Sequence, residues 1–522
     1  MLGGDHVGGG DDRAQVEPPP LPLIPVKPDE PVADAGAVRN TMLQFGAQLA
    51  GLVFTSVLTL YLVRALGPKS YGVYTLAVSI GTLAVFPALW GLPFAIGRYL
   101  ADNRHSARQV SHIFAMGLRL QLPAALFAAA ALFALAGPIA DAYGVDNLLW
   151  PLRWVALSVA GQALFGYLAS AASSLRRSSP GLWMALIESG SEAITSIALV
   201  IAGAGAAGAA FGKTVGYTLA VVVGLLLVPR TFGGHRRRPL LAVPVTVGAV
   251  MRYASVMFVV DVTWAAIAQI DLILIGALLT SAAVGGFGAV LKLLGVLGYV
   301  GTAVSSGVSP RLSLGGDGPD VRSFELALRY LMIVQGLTLA PMVVWAVPVT
   351  HLLLGGGYGE SAAIMRALTV YSFVGAPAAM ITIAVNYLGE SRRRLIVMVA
   401  TLVIGLAATY VLIELIGVIG AAIADDLVTV VYVAAHFWIC VRLVPLDLRR
   451  LALCLVRTLA AATAMAAVLF ATGTGVLSAP QWIAGLAGGI LAYVVTIVGV
   501  GEVTVGELRQ LAVRARRIVA RG

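Results

Sequence analysis

Charge is scarce in this chain of 522 residues: Asp, Glu, Lys and Arg together make up 11%, and only four residues are lysine. Ordinary soluble domains carry about 25% charged residues. With 59% hydrophobic residues and a mean hydropathy of +0.91, a water-soluble fold would lack the polar surface to cover its apolar bulk. Cysteine is almost absent. Cys440 and Cys454 have neither metal-type nor redox-type spacing, so a free, reduced pair is expected. The six histidines are scattered without metal-ligand spacing. There is no P-loop, which excludes ATP hydrolysis by this chain. GGGYG at 355–359 has no GxGxxG spacing and reads as a turn. No large loop separates the apolar runs, which argues against a many-span membrane transferase or ligase. A non-enzyme without metal or cofactor is expected.

What is present is apolar sequence in long runs. They are about 20 residues long, rich in Ala, Leu and Val, and lack the alternation of barrel strands of about 9–11 residues. Backbone groups in hydrocarbon must be satisfied internally, so these runs read as helices of an all-α integral membrane protein. The net charge of +10 does not point to nucleic acid, because the basic residues sit in short loops between runs and set orientation.

Residues 1–37 are rich in Pro and Gly and predict a disordered cytoplasmic tail without a cleaved leader. About fourteen spans follow, near 42–63, 73–97, 113–136, 152–174, 182–203, 207–228 and 250–279, then 284–308, 325–352, 362–387, 395–415, 418–440, 452–472 and 482–501. Each is long enough for roughly 30 Å of hydrocarbon. Alternate loops carry about 25 Lys and Arg on one side and about three on the other. The positive-inside rule therefore places both termini of this multi-pass protein in the cytoplasm, and residue usage rich in Ala, Gly, Val and Arg suggests a bacterial source.

An internal repeat organises the spans. Tyr71-Gly72-Val73-Tyr74 answers Val284-Gly285-Gly286-Phe287 at an offset of 213, as Gly97-Arg98 answers Pro310-Arg311. Tyr143-Gly144 answers Tyr358-Gly359 at 215, and Arg176-Arg177 answers Arg392-Arg393 at 216. The expected organisation is an N-lobe of six helices (38–230), a basic linker (231–249) and a C-lobe of six helices (250–441). A helix pair (442–505) and a basic tail (506–522) complete it. Six is even, so the lobes share one orientation about an axis along the membrane normal. That arrangement predicts a transporter with a central interface.

Ionisable residues inside spans are costly, so each is a functional hypothesis. Glu188 and Glu192 stand four apart on one helix face and suit ion coupling or a substrate hydroxyl, with neutralisation by Lys213 or Arg119 as the alternative. Arg119, Lys213 and Lys292 suit an anionic headgroup in a central cavity: Arg binds a diphosphate bidentately and Lys acts as a point charge. Pairing with the acids is the other reading. Asp271 suits a neighbouring helix or a sugar. Asp425 and Asp426 suit capping or pairing, and Arg64, Arg98 and Arg311 read as anchors at span ends.

The stretch YLVRALGPKSYGVYTLAVSI followed by GLPFAIGRYLA resembles the start of bacterial polysaccharide-export flippases. These belong to the multidrug/oligosaccharidyl-lipid/polysaccharide exporter superfamily. QIDLILIGALLTSAAVGGFGAVLKLL, HLLLGGGYGESAAIMRALTVYSF and NYLGESRRR are similar to later parts of that family, so the likeness covers about 38–440. The resemblance implies two six-helix lobes around a cavity and alternating access. It also implies an undecaprenyl-diphosphate-linked oligosaccharide as cargo, with membrane lipids, a polysaccharide polymerase and chain-length machinery as partners. Lipid II flippases and ion-coupled multidrug exporters are the competing relatives.

Overall fold

The computed structural model describes residues 35–104, 106–145, 147–234, 245–308, 312, 319–504 and 506–507. The Pro-rich tail expected over 1–37 thus lies almost wholly outside the described residues, as do Arg236 to Arg238, Arg311 and the basic end beyond 507.

Every regular element among the described residues is helical. The first half holds α1 (Ala35–Leu89), α2 (Leu92–Asp102), α3 (Ala107–Tyr143), α4 (Leu149–Ser174), α5 (Ser178–Ile201) and α6 (Gly205–Leu227). Then come α7 (Val247–Leu278), α8 (Ser281–Val308), α9 (Val321–Val344), α10 (Ala346–Leu354) and α11 (Ser361–Ala367). The chain ends with α12 (Thr369–Tyr387), α13 (Ser391–Ile416), α14 (Val418–Leu443), α15 (Leu448–Thr472) and α16 (Ala479–Gly499).

α1 is two rods rather than one. Gly67 has φ 68° and ψ 173°, a left-handed backbone that glycine tolerates without a Cβ penalty. Pro68 then opens the second rod, where its missing N–H costs nothing. Twelve helices among the described residues are long and apolar enough to span a membrane. The first of these runs through Gly67 and so holds two spans, and the apolar segment Ser281–Val296 of α8 adds another, which gives fourteen. Several helix ends are capped by the side chains expected there. Ser106 accepts from Gln109 N at 3.5 Å, Asp320 from Ser323 N at 3.0 Å, and Asp447 from Arg450 N at 3.0 Å.

Three of the expected spans are broken into two helices each. Trp90 and Gly91 both have positive φ and separate α1 from α2. Trp345 separates α9 from α10, and Leu368 separates α11 from α12. α1 is the seam of the molecule: it packs on α3 to α6 from the first half and on α7 and α8 from the second.

The C-terminal pair α15–α16 docks on α9. Trp345 is fully buried, and its indole N–H points at the carbonyls of Leu469 and Gly473, each at 3.0 Å. Trp482 packs edge-on against it at 4.8 Å. Beyond α16 the chain folds back, and Glu502, only 6% exposed, accepts from Arg329 Nε at 2.6 Å and Arg457 Nη1 at 3.0 Å. Burial opposes ionisation of Glu502, but the hydrogen bonds from Arg457 and Arg329 outweigh it and hold the carboxyl below its usual 4.5. A carboxyl depressed in the folded state stabilises above its unfolded pKa, and that contribution drains away as pH falls through the folded value. The melting temperature of Glu502→Gln protein should therefore fall short of wild type at pH 7 and converge with it below about pH 4.5. A constant offset across the pH range would contradict this assignment.

Candidate functional site

A cavity of about 1100 Å³ lies between the two halves, against α1. It exceeds the roughly 300–1,000 Å³ of drug-sized pockets. The first rod of α1 contributes Thr55, Ser56 and Thr59, and the second contributes Tyr71, Tyr74, Thr75, Ser79 and Thr82. Both sets recur at helical spacing, so each rod turns a polar stripe to the lumen. α5 adds Glu188, Ser189 and Glu192; α6 adds Lys213 and Tyr217, four apart on one face. Across the seam stand Gln269 of α7, Lys292 of α8, Thr338 of α9 and Tyr371 of α12. Toward α15 and α16 the lining turns apolar, with Met465, Leu486 and Ile490.

The four charged side chains of this wall are not equivalent. Lys213 Nζ lies 3.4 Å from Glu192 Oε1 and 5.2 Å from the centre of the Tyr217 ring, so its charge is already answered. Glu188 accepts from Ser189 Oγ at 2.7 Å and has the Tyr217 hydroxyl beside it. Lys292 differs. It is exposed to the lumen, within electrostatic range of Lys213 and Glu192, and makes no ion pair among the described residues. A three-donor ammonium with nothing to hold is suited to an anion that arrives with a ligand.

The structure thus gathers Glu188, Glu192, Lys213 and Lys292 from the sequence candidates. Two others stand elsewhere. Arg119 is exposed on α3, away from the cavity wall. Asp271 is buried behind the wall, where Thr409 of α13 donates to its Oδ1 at 3.3 Å and the Asp425 carboxyl of α14 lies against it. Asp426 accepts from Tyr371 N at 2.7 Å and so caps the first turn of α12 from a neighbouring helix. These carboxyls join α7, α12, α13 and α14. Asp271→Asn, which keeps the hydrogen bonds, should unfold within about 1 kcal/mol of wild type, whereas Asp271→Leu should cost about 1–3 kcal/mol by leaving Thr409 and Asp425 unanswered. Equal losses in a thermal unfolding series would refute the bracing role.

The tyrosines of the wall escape sequence reading because a single Tyr in an apolar span carries little signal. The register of polar residues at 71, 74, 75, 79 and 82 is the pattern that marks them.

The fold is shared with transporters. The chain superposes on "Lipid II flippase MurJ, inward closed conformation" with a TM-score of 0.69 at 12% identity, covering 88% of this chain and 98% of that one. An inward-facing multidrug resistance MATE family transporter of the MOP superfamily gives 0.59 at 16%, covering 78% and 98%. An outward-facing MATE family transporter gives 0.54 at 16%, covering 79% and 96%. At such identities the likeness is one of fold. No curated protein sequence matches the chain. The model of the family described as "Polysaccharide biosynthesis protein" matches residues 37–314, more than half of the chain. With a transporter fold, a central cavity and that match in hand, the chain belongs to the polysaccharide biosynthesis protein family.

Proposed function

We propose that the protein is a flippase that carries an undecaprenyl-diphosphate-linked oligosaccharide from the inner to the outer leaflet of a bacterial cytoplasmic membrane. The observation that carries this reading is Lys292, a cation without an ion pair among the described residues and exposed in a cavity lined from both halves of the chain. The diphosphate meets Lys292, and the tyrosines and hydroxyls of α1 and α6 face the sugars. The apolar end at Met465, Leu486 and Ile490 takes the start of the lipid tail. Rocking of residues 38–230 against 250–441 then exposes the headgroup on the other side, and α15–α16 travels with the second lobe through Trp345 and Glu502. Both termini are cytoplasmic in this reading. A polymerase and chain-length machinery receive the product outside.

Depletion of the protein tests the assignment. Lipid-linked oligosaccharide should accumulate in the inner leaflet while surface polysaccharide disappears, and normal surface polysaccharide in depleted cells would refute it.

A second reading rests on Glu188, which lines the cavity without a salt bridge among the described residues. It is ion-coupled export of a cationic drug, with Glu188 and Glu192 taking a proton or a cation as the drug leaves. Dye efflux that persists in Lys292→Gln and fails in Glu188→Gln would favour it over the flippase.

A further inference from the structure

The two copies of the internal repeat meet each other at the end of the molecule that carries the Gly67 turn. Gly72 lies so close to α8 that a methyl group there would run into the Ser281 carbonyl and come within 2.9 Å of Gly285 N. A methyl group at Gly285 would meet the Pro68 carbonyl and come within 3.0 Å of Gly72 N. Ser281 is 213 positions beyond Pro68, and Gly285 is 213 beyond Gly72. The contact therefore repeats itself under the operation that relates the halves, with the two glycines on the axis.

The flanks follow the same rule. Tyr358 donates its hydroxyl to the Val63 carbonyl at 2.8 Å. Its repeat partner, Tyr143, lies 3.3 Å from where a methyl group on Gly276 would sit, and Gly276 is 213 beyond Val63. Each lobe thus lays a tyrosine against the corresponding helix of the other. Arg64 adds a charged bond on one flank. Its guanidinium donates to the carbonyls of Leu352 and Leu353, the last turn of α10, where unsatisfied carbonyls and the helix dipole favour a cation. One turn deeper, a methyl group on Gly288 would come within 2.7 Å of Thr75, and the cavity begins there.

We propose that the Gly72–Gly285 crossing is the gate that closes the cavity toward the Gly67 end, with Arg64 and Tyr358 as its bolt. Glycine at both positions lets two backbones touch, so the seal is made of atoms that are shape-complementary only when the lobes are closed. The bolt bonds are few, and all three acceptors are backbone carbonyls that water can satisfy once the lobes part. Such a contact holds shut without preventing release. The inference rests on the alternating-access reading, and on loop charge for the expectation that this end is extracytoplasmic.

The test reads the gate without reference to cargo. Gln269→Cys places a thiol on the cavity wall, while both native cysteines are buried. A membrane-impermeant maleimide is applied to right-side-out and to inside-out vesicles. Adding Arg64→Ala and Tyr358→Phe should raise labelling from the Gly67 side about fivefold or more, the worth of roughly one hydrogen bond, and leave the opposite side unchanged or slower. A second variant guards against misfolding. A methyl group on Gly357 would lie 3.6 Å from Pro68 Cδ, so Pro68→Cys with Gly357→Cys should cross-link. Cross-linking should abolish labelling at position 269 from the Gly67 side, and reductant should restore it. Labelling that neither variant changes would overturn the gate. Failure of polysaccharide export alone would count against the flippase reading and not against this one.

Discussion

Lys292→Gln should reduce surface polysaccharide by about tenfold or more at equal protein level. Charge-assisted hydrogen bonds are worth about 1.5–3 kcal/mol, which converts to roughly 10- to 100-fold in binding. The side chain is exposed to the lumen and has no ion pair among the described residues to lose, so the substitution should leave the melting temperature near wild type. Lys292→Arg keeps the charge in a wider, planar head and should retain part of the activity. Lys213→Gln should behave differently. It strips Glu192 of its partner 3.4 Å away, so protein level falls along with export. Arg119→Gln, on the exposed side of α3, should export normally. Full export in Lys292→Gln at wild-type abundance would remove the anion-holding role from this residue.

Trp345→Ala should lower stability by about 3–5 kcal/mol, the range for truncating a fully buried aromatic. The loss combines the ring volume, the edge-on contact with Trp482 at 4.8 Å, and the carbonyls of Leu469 and Gly473 that lose their shared donor. The site cannot collapse easily, because Gly485 already lies close enough that a methyl group there would strike the indole. Proteolysis of purified protein should then cut first around 473–478, the connection between α15 and α16, while α1 to α8 stay protected. Trp345→Phe keeps most of the volume but not the N–H, and should fall between the two. An unfolding temperature within a degree of wild type for Trp345→Ala would mean that α15–α16 docks by other means.

Which parts of this molecule can be read in advance follows from what hydropathy measures. Spans are integrals over about 20 residues, so their number near fourteen is readable despite uncertain ends. The turn at Gly67 is readable because LGPKSYG interrupts the apolar run with glycine, proline and charge. The breaks at Trp90 and Trp345 are not, since each changes the backbone direction while the residues stay apolar, and the break at Leu368 follows a single charge, Arg366, with no glycine or proline beside it.

The same limit governs the site. A charge inside a span is conspicuous, which is why Glu188, Glu192, Lys213 and Lys292 are candidates from sequence. Whether it faces a lumen, a neighbouring helix or the outer surface depends on helix rotation. Asp271 and Arg119 are as conspicuous in sequence as Lys292, yet one is buried against Thr409 and Asp425 and the other is exposed on α3. The pairing of Lys213 with Glu192 is an open alternative between α5 and α6 that only geometry resolves. The repeat holds more than it discloses. An offset of 213 marks Gly72 and Gly285 as counterparts, but nothing in a linear chain says that counterparts touch.

Leaflet transfer by the purified protein is the most direct measurement. Proteoliposomes would carry a fluorescent undecaprenyl-diphosphate oligosaccharide, with a glycan-cleaving enzyme added outside after asymmetric loading. Wild-type protein should bring inner-leaflet label to the outside, and Lys292→Gln should do so about tenfold more slowly or worse. The oxidised double variant Pro68→Cys with Gly357→Cys should transfer label only after reduction. No transfer by wild-type protein, alongside efflux of a cationic dye from the same vesicles, would contradict the account.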